Sequence, residues 1–165
     1  MSESRLQRFL NAQNQRVSGF DAALSELQSG HKRGHWIWYV FPQLSGLGSS
    51  SQSQVYGIDG VTEAEEYLRN TELRTRLLTI TTTVAERART GVALETLMNS
   101  PIDVLKLVSS LTLFGNVAKR LYAEEGLGAY DALYRVVEEV LAVAAAEGYP
   151  LCQFTLVQLR QSPTP

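Results

Sequence analysis

Cysteine is nearly missing from this chain: Cys152 stands alone among 165 residues. A single thiol cannot close an internal disulfide, so the core must hold the fold, and a reducing, cytoplasmic setting is the expectation. Histidine is almost as scarce, with only His31 and His35. Their i, i+4 spacing suits a metal on a helix face, but Gly34 interrupts it and no glutamate follows His31 as in zinc-protease helices. No metal site is expected, and no motif calls for a cofactor. A basic excess is also lacking, since 15 Lys and Arg stand against 17 Asp and Glu. That balance excludes a general nucleic-acid binder and a protein that clings to anionic membranes. No apolar run approaches the roughly 18 residues of a membrane span, and the polar stretch from Met1 to Gln15 carries no signal-peptide core. Neither nucleic acid nor a membrane is an expected partner, and the sequence leaves the oligomeric state open.

What is present suits one globular unit. Apolar residues make up 44% and charged ones 19%, enough to build a core in a chain of this length. The expected domain is 1–165, with frayed ends at 1–4 and 161–165. Leu6, Leu10, Gln13, Val17, Phe20, Leu24 and Leu27 alternate at spacings of four and three, which predicts one helix face running to about Gln28. Thr62-Glu63-Ala64-Glu65 reads as a capping box opening a short helix. A second helix begins near Asn70 or Thr71 and is closed by Gly91, with a weakness or bend expected at the threonine run 79–83. Ser100-Pro101-Ile102-Asp103 is a strong start signal, combining a side-chain cap, a proline at the first helical position and an acid at the positive end. That helix should run to about Glu124, with Leu105 and Tyr122 among its inward residues. A last long helix, from about Ala129 to Glu147, precedes a tail that packs Leu151, Phe154, Leu156, Val157 and Leu159. Pro163 and Pro165 end that tail in a frayed segment. The expected architecture is mainly α, with at most one short strand-like segment near 36–41, where β-branched and aromatic residues crowd.

The stretch from His31 to Ser50 concentrates the binding chemistry. It holds both histidines, both tryptophans, the pair Lys32-Arg33 and a Gly/Ser loop. Glycines let backbone amides approach an anion, cations supply charge, hydroxyls donate, and indoles stack. Gly46-Leu47-Gly48 lacks the spacing and the Lys-Ser/Thr ending of a P-loop, so each of these residues is equally readable as core or surface turn. Gln13 interrupts an apolar face and must find hydrogen-bond partners there or look into a pocket. Ser109, Ser110 and Thr112 sit inside a helix, where hydroxyls usually bond back to a carbonyl four residues earlier. Cys152 has no local histidine and reads as packing.

The string His35-Trp36-Ile37-Trp38-Tyr39-Val40-Phe41-Pro42-Gln43-Leu44-Ser45-Gly46-Leu47-Gly48-Ser49-Ser50, with Tyr56-Gly57-Ile58 and Glu63-Ala64-Glu65-Glu66-Tyr67-Leu68 after it, resembles the bacterial domain-of-unknown-function family 1810. Members of that family are often mislabelled calpastatin. Arg8-Phe9, Ala12-Gln13, Lys106-Leu107 and Ser109-Ser110-Leu111-Thr112-Leu113-Phe114 extend the likeness over about Leu6 to Phe114. Val108 stands where the family typically has arginine. The resemblance implies a compact, mainly helical fold and carries no established activity. Its polar motif residues fall in three separated stretches, which is most simply explained by convergence on one pocket.

The leading expectation is therefore a pocket for a small anionic or nucleotide-like ligand, with hydrolase or transferase chemistry left open. Lys32 and Lys106 would supply charge, Trp36 and Trp38 stacking, Gly46 and Gly48 close backbone approach, and Gln13, Gln43, Ser50, Ser109 and Thr112 hydrogen bonds. His35 is the candidate catalytic residue, because imidazole titrates near neutral pH. The alternative is a non-catalytic interaction module that uses the aromatic segment as a docking surface. A third reading takes the aromatics simply as core.

Overall fold

The computed structural model describes residues 2–161 and is mainly helical. In chain order the helices are α1 (Ser2–Gln13), α2 (Phe20–Gln28), α3 (Ile37–Val40), α4 (Ser51–Tyr56), α5 (Gly60–Arg69), α6 (Thr71–Arg89), α7 (Leu94–Met98), α8 (Pro101–Glu125), α9 (Gly128–Ala146) and α10 (Gln153–Gln161). Pro163 and Pro165 lie outside the described residues. α8 is the axis of the fold, packed by α3, α5, α7, α9 and α10. It starts as its residues dictate: Ser100 Oγ accepts from the Asp103 amide at 3.1 Å, Pro101 needs no partner, and Gly126 ends the helix at φ +73°. A helix surrounded on all sides cannot show one apolar face, and residues 107–115 of α8 are buried around the whole circumference. This is why periodicity misplaces Leu105 and Tyr122, both of which are exposed. By length and composition α8 could cross a membrane, but 67% of its apolar window is covered by the rest of the fold, as befits a core helix. Gly115 sets the distance to α9, since a Cβ there would lie 2.7 Å from Val137 Cγ1.

The predicted N-terminal helix is broken. α1 ends at Gln13, and the chain folds back through residues 14–19 before α2. The backbone of Gly19 rests directly on the carbonyls of Gln13 and Gln15, an approach no side chain could tolerate. Val17, expected inside, is 89% exposed in that connection. The strand-like segment is likewise a helical turn: the amides of Val40 and Phe41 donate to Trp36 and Ile37 carbonyls at 3.1 and 3.0 Å. No neighbouring strand exists there to satisfy an extended backbone, so packing overrides intrinsic preference. The extended pairing among the described residues is one parallel bridge, Leu44 with Ile58.

Other differences have local causes. α5 starts three residues earlier than the capping box implies, with Asp59 rather than Thr62 at the N-cap, and the Asp59 amide donates to Glu63. α6 runs unbroken through its threonines because Thr82 and Thr83 donate back to the carbonyls of Leu78 and Thr79. α7 carries too few residues for a readable period. In the tail, Leu151, Phe154 and Val157 remain partly exposed, and Thr155 is the buried residue of α10.

Two buried hydroxyls in the helical core, on Thr81 and Ser110, have no hydrogen-bond partner. Ser110→Ala removes such a group from a fully buried site on α8. We expect the variant to be more stable by up to about 1 kcal/mol, since an unsatisfied buried hydroxyl carries its full desolvation penalty. Urea unfolding checks this, and a loss of stability would mean that Oγ has a partner in solution.

Candidate functional site

The turn α3 packs against both α4 and α8. Beside it lies a narrow cleft lined by Ile37, Trp38, Phe41, Gln43, Gln52, Ser53, Tyr56, Gly57 and Lys106. Little more than one water fits inside it while α4 is closed. The Lys106 ammonium lies 4.6 Å from the centre of the Trp38 ring, a cation–π pair across the cleft wall. The Trp38 indole N–H is shielded from solvent and has no hydrogen-bond partner. Lys106 is 23% exposed at its side chain, and its nearest carboxylate oxygen, on Asp103, is 3.8 Å away. Asp103 is committed elsewhere, its other oxygen lying 2.9 Å from Lys32 Nζ.

Lys32 faces inward. Only 5% exposed, it donates to the Gly34 carbonyl at 2.6 Å, pairs with Asp103 and lies 5.0 Å from the Trp36 ring centre. Its backbone amide donates to Leu97. This residue fastens the 29–36 loop to α7 and α8. Trp36 is fully buried, and its indole N–H donates to Glu26 at 2.9 Å. The same Glu26 oxygen accepts from the Arg33 and Gly34 amides at 2.7 and 2.9 Å. Partial burial pushes the Glu26 carboxyl up, but those donors and the Lys32 charge outweigh it and hold the group below the ordinary value.

Gln13 is also an internal fastener. Its amide donates to the Tyr39 carbonyl at 2.8 Å and the Tyr67 hydroxyl at 3.1 Å, and its oxygen accepts from Arg76 at 3.3 Å. Gln13 does not line the cleft. His35 is exposed and does not line it. The other histidine, His31, bonds the Thr96 carbonyl at 3.0 Å through Nδ1. Among the described residues no three of His, Cys, Asp and Glu gather as metal ligands would. Ser50 caps α4, accepting from the Ser53 amide at 3.1 Å. Gly48 lets the Ser53 side chain close against the loop, and Gly46, at φ +98°, lies under the Phe154 ring.

Ser109 and Thr112 turn towards the C-terminal segment. Thr112 donates to the Val108 carbonyl at 2.7 Å and accepts from the Cys152 amide at 3.4 Å. The Cys152 thiol is raised by burial yet lies below its ordinary value, because the Ser109 and Thr155 hydroxyls and the Thr155 and Phe154 amides all donate to sulfur. Of the predicted residues, then, Trp38, Gln43 and Lys106 come together, while Gln13, Lys32, His35, Trp36, Gly46, Gly48, Ser50, Ser109 and Thr112 are placed outside the cleft. Gln52 and Tyr56, which complete its lining, have no periodic signal in the sequence. Tyr56 belongs to the recurring Tyr-Gly-Ile string, which was the available clue.

Fold and cleft together define a mainly helical protein wound around one buried central helix, with a small one-ammonium slot at its side. The chain belongs to the family described as Protein of unknown function (DUF1810), whose model matches residues 3–132. It is similar to the crystal structure of the conserved hypothetical protein Rv1873 from Mycobacterium tuberculosis. That likeness has 35% identity and a TM-score of 0.74, and it covers 95% of this chain and 97% of the other. No curated protein matches. The family match spans every residue of the cleft and stops before α10.

Proposed function

We propose that the protein binds a small anionic ligand in the cleft between α3, α4 and α8. One observation carries this reading: the lining holds one ammonium, Lys106, no carboxylate, and a shielded indole N–H without a partner. An unsatisfied buried donor beside an under-neutralised cation is costly unless an acceptor arrives, and an anion satisfies both. The slot has room for about one water, far short of the roughly 300–1,000 Å³ of ordinary ligand pockets, which favours a compact ligand over a whole nucleotide. Its lining contains no histidine, cysteine or carboxylate to act as base or nucleophile, so binding is better supported than hydrolase or transferase chemistry. A docking surface made by the aromatic segment is less well supported, because Trp36, Ile37, Tyr39, Val40 and Phe41 are all buried. The lone thiol keeps a cytoplasmic setting as part of this reading.

A thermal-shift panel of phosphate, nucleotides and short carboxylates tests it. A ligand present at about 100 times its Kd should stabilise the protein by about 2.7 kcal/mol, which raises Tm by about 5–10 °C for a chain of this size. Lys106→Met should abolish the shift. No shift with any anion, or an equal shift in the variant, would overturn the assignment.

A further inference from the structure

We infer that the ligand is a small monocarboxylate with a short apolar body, admitted by movement of α4; this rests on the anion-binding reading above. Charge comes first. Two ammoniums, Lys32 and Lys106, share the single carboxylate of Asp103, with the closer contact going to Lys32. Glu26, the other carboxylate acting on Lys32, is already engaged by two backbone amides and the Trp36 indole. One partly compensated positive charge therefore faces the cleft, which suits a monoanion. A phosphate dianion would bring a second negative charge beside Asp103 with no second cation among the lining residues to meet it.

The walls supply the second argument. Ile37, Phe41, Tyr56 and the Trp38 ring make most of the slot apolar, with Gln43, Gln52 and Ser53 as its other polar members. An apolar body gains by leaving water there, whereas a sugar phosphate would strand its hydroxyls. A carboxylate has two oxygens, and two lining residues carry an incompletely used donor, Lys106 at Nζ and Trp38 at Nε1.

Entry follows from α4. None of the residues of this six-residue helix is buried. It is tethered by the Ser50 cap, by Arg8 Nε donating to the Val55 carbonyl at 2.9 Å, and by Tyr56 ring contacts with Phe9 and Tyr39. An element with so little buried surface opens at low cost, and its opening widens a slot that otherwise takes about one water.

Calorimetric titration of the intact protein with benzoate and hexanoate, with benzamide and hexanamide as neutral isosteres, and with inorganic phosphate and AMP, decides the matter. At least one carboxylate should bind, with its amide at least tenfold weaker. Lys106→Met and Trp38→Phe should each weaken carboxylate binding at least tenfold, and unchanged melting would show that both variants still fold. The wild-type acid–amide comparison stands even if a variant misfolds. Binding of phosphate or AMP that depends on Lys106, with no carboxylate binding, would overturn this inference and leave the anion site standing. Carboxylate binding indifferent to both substitutions would overturn the location, and no binding by any of these anions would overturn both readings.

Discussion

Glu63→Ala is expected to destabilise the protein by about 3 kcal/mol, at the lower end of the cost of breaking a buried ion pair. Glu63 is fully buried, and both its oxygens accept from Arg8, at 2.9 and 3.0 Å. It also accepts from the Asp59 amide at 2.8 Å and lies 3.1 Å from Arg5. Arg8 in turn donates to the Val55 and Gly57 carbonyls, so one carboxylate ties α1 to both ends of the α4–α5 connection. The lower end applies because Arg8 is 25% exposed and can partly rehydrate when its partner is lost.

The same residue sets a pH dependence. Burial pushes the Glu63 carboxyl up, but the Arg8 hydrogen bonds, the Asp59 amide and the charges of Arg8 and Arg5 hold it below its ordinary 4.5. A group depressed on folding contributes its stability in full above the unfolded value and loses it as pH falls through the folded value. Glu26 acts in the same direction. The wild-type protein should therefore weaken steadily below about pH 4.5, and Glu63→Gln, which cannot titrate, should show a shallower decline. Urea unfolding between pH 7 and pH 3 measures both, and parallel curves would remove Glu63 as the titrating group.

Trp36→Ala should cost about 3–5 kcal/mol, as expected when a large aromatic side chain is deleted from a close-packed core. Trp36 has no exposed surface, supports Phe41 at a centroid distance of 6.3 Å, and donates to Glu26. Trp36→Phe keeps much of the volume and loses the hydrogen bond, so a loss of about 1–2 kcal/mol is expected from that term. Trp36 is not itself a lining residue, though it backs the lining residue Phe41; Trp36→Phe keeps an aromatic ring behind Phe41 and should bind an anion in the proposed site as the wild type does. Two tryptophans two residues apart thus separate, one holding the loop and one lining the cleft. Equal stability losses at Trp36 and Trp38 would contradict this division.

Much of this was legible from local chemistry. The Ser100 cap, Pro101, Asn70 and the closing glycines at 91 and 126 act through neighbours a few residues away, and the structure uses each as expected. Trp38, Gln43 and Lys106 were legible as candidates from residue type. What distinguishes them from Lys32, Gln13 and Trp36 is direction, and direction depends on partners far along the chain. Lys32 turns inward because Asp103 is there, 71 positions later. Gln13 is satisfied by Tyr39, Tyr67 and Arg76. The gap before Gly19 and the helical turn at Trp36–Phe41 also escaped periodicity, since a close backbone approach and the lack of a strand partner are tertiary facts.

By itself, then, the sequence determined the helical class, the family, the ends of the long helices α6, α8 and α9 and a short list of candidate polar and aromatic residues. Those properties depend on backbone propensity, capping and side-chain chemistry within a few residues. Only the tertiary structure decided which cation faces the cleft, which indole keeps a free N–H, and that α8 is buried all round. Those depend on which distant groups satisfy one another's charge and hydrogen bonding, and Asp103, by pairing closely with Lys32, leaves Lys106 at the cleft with only a 3.8 Å contact to a carboxylate.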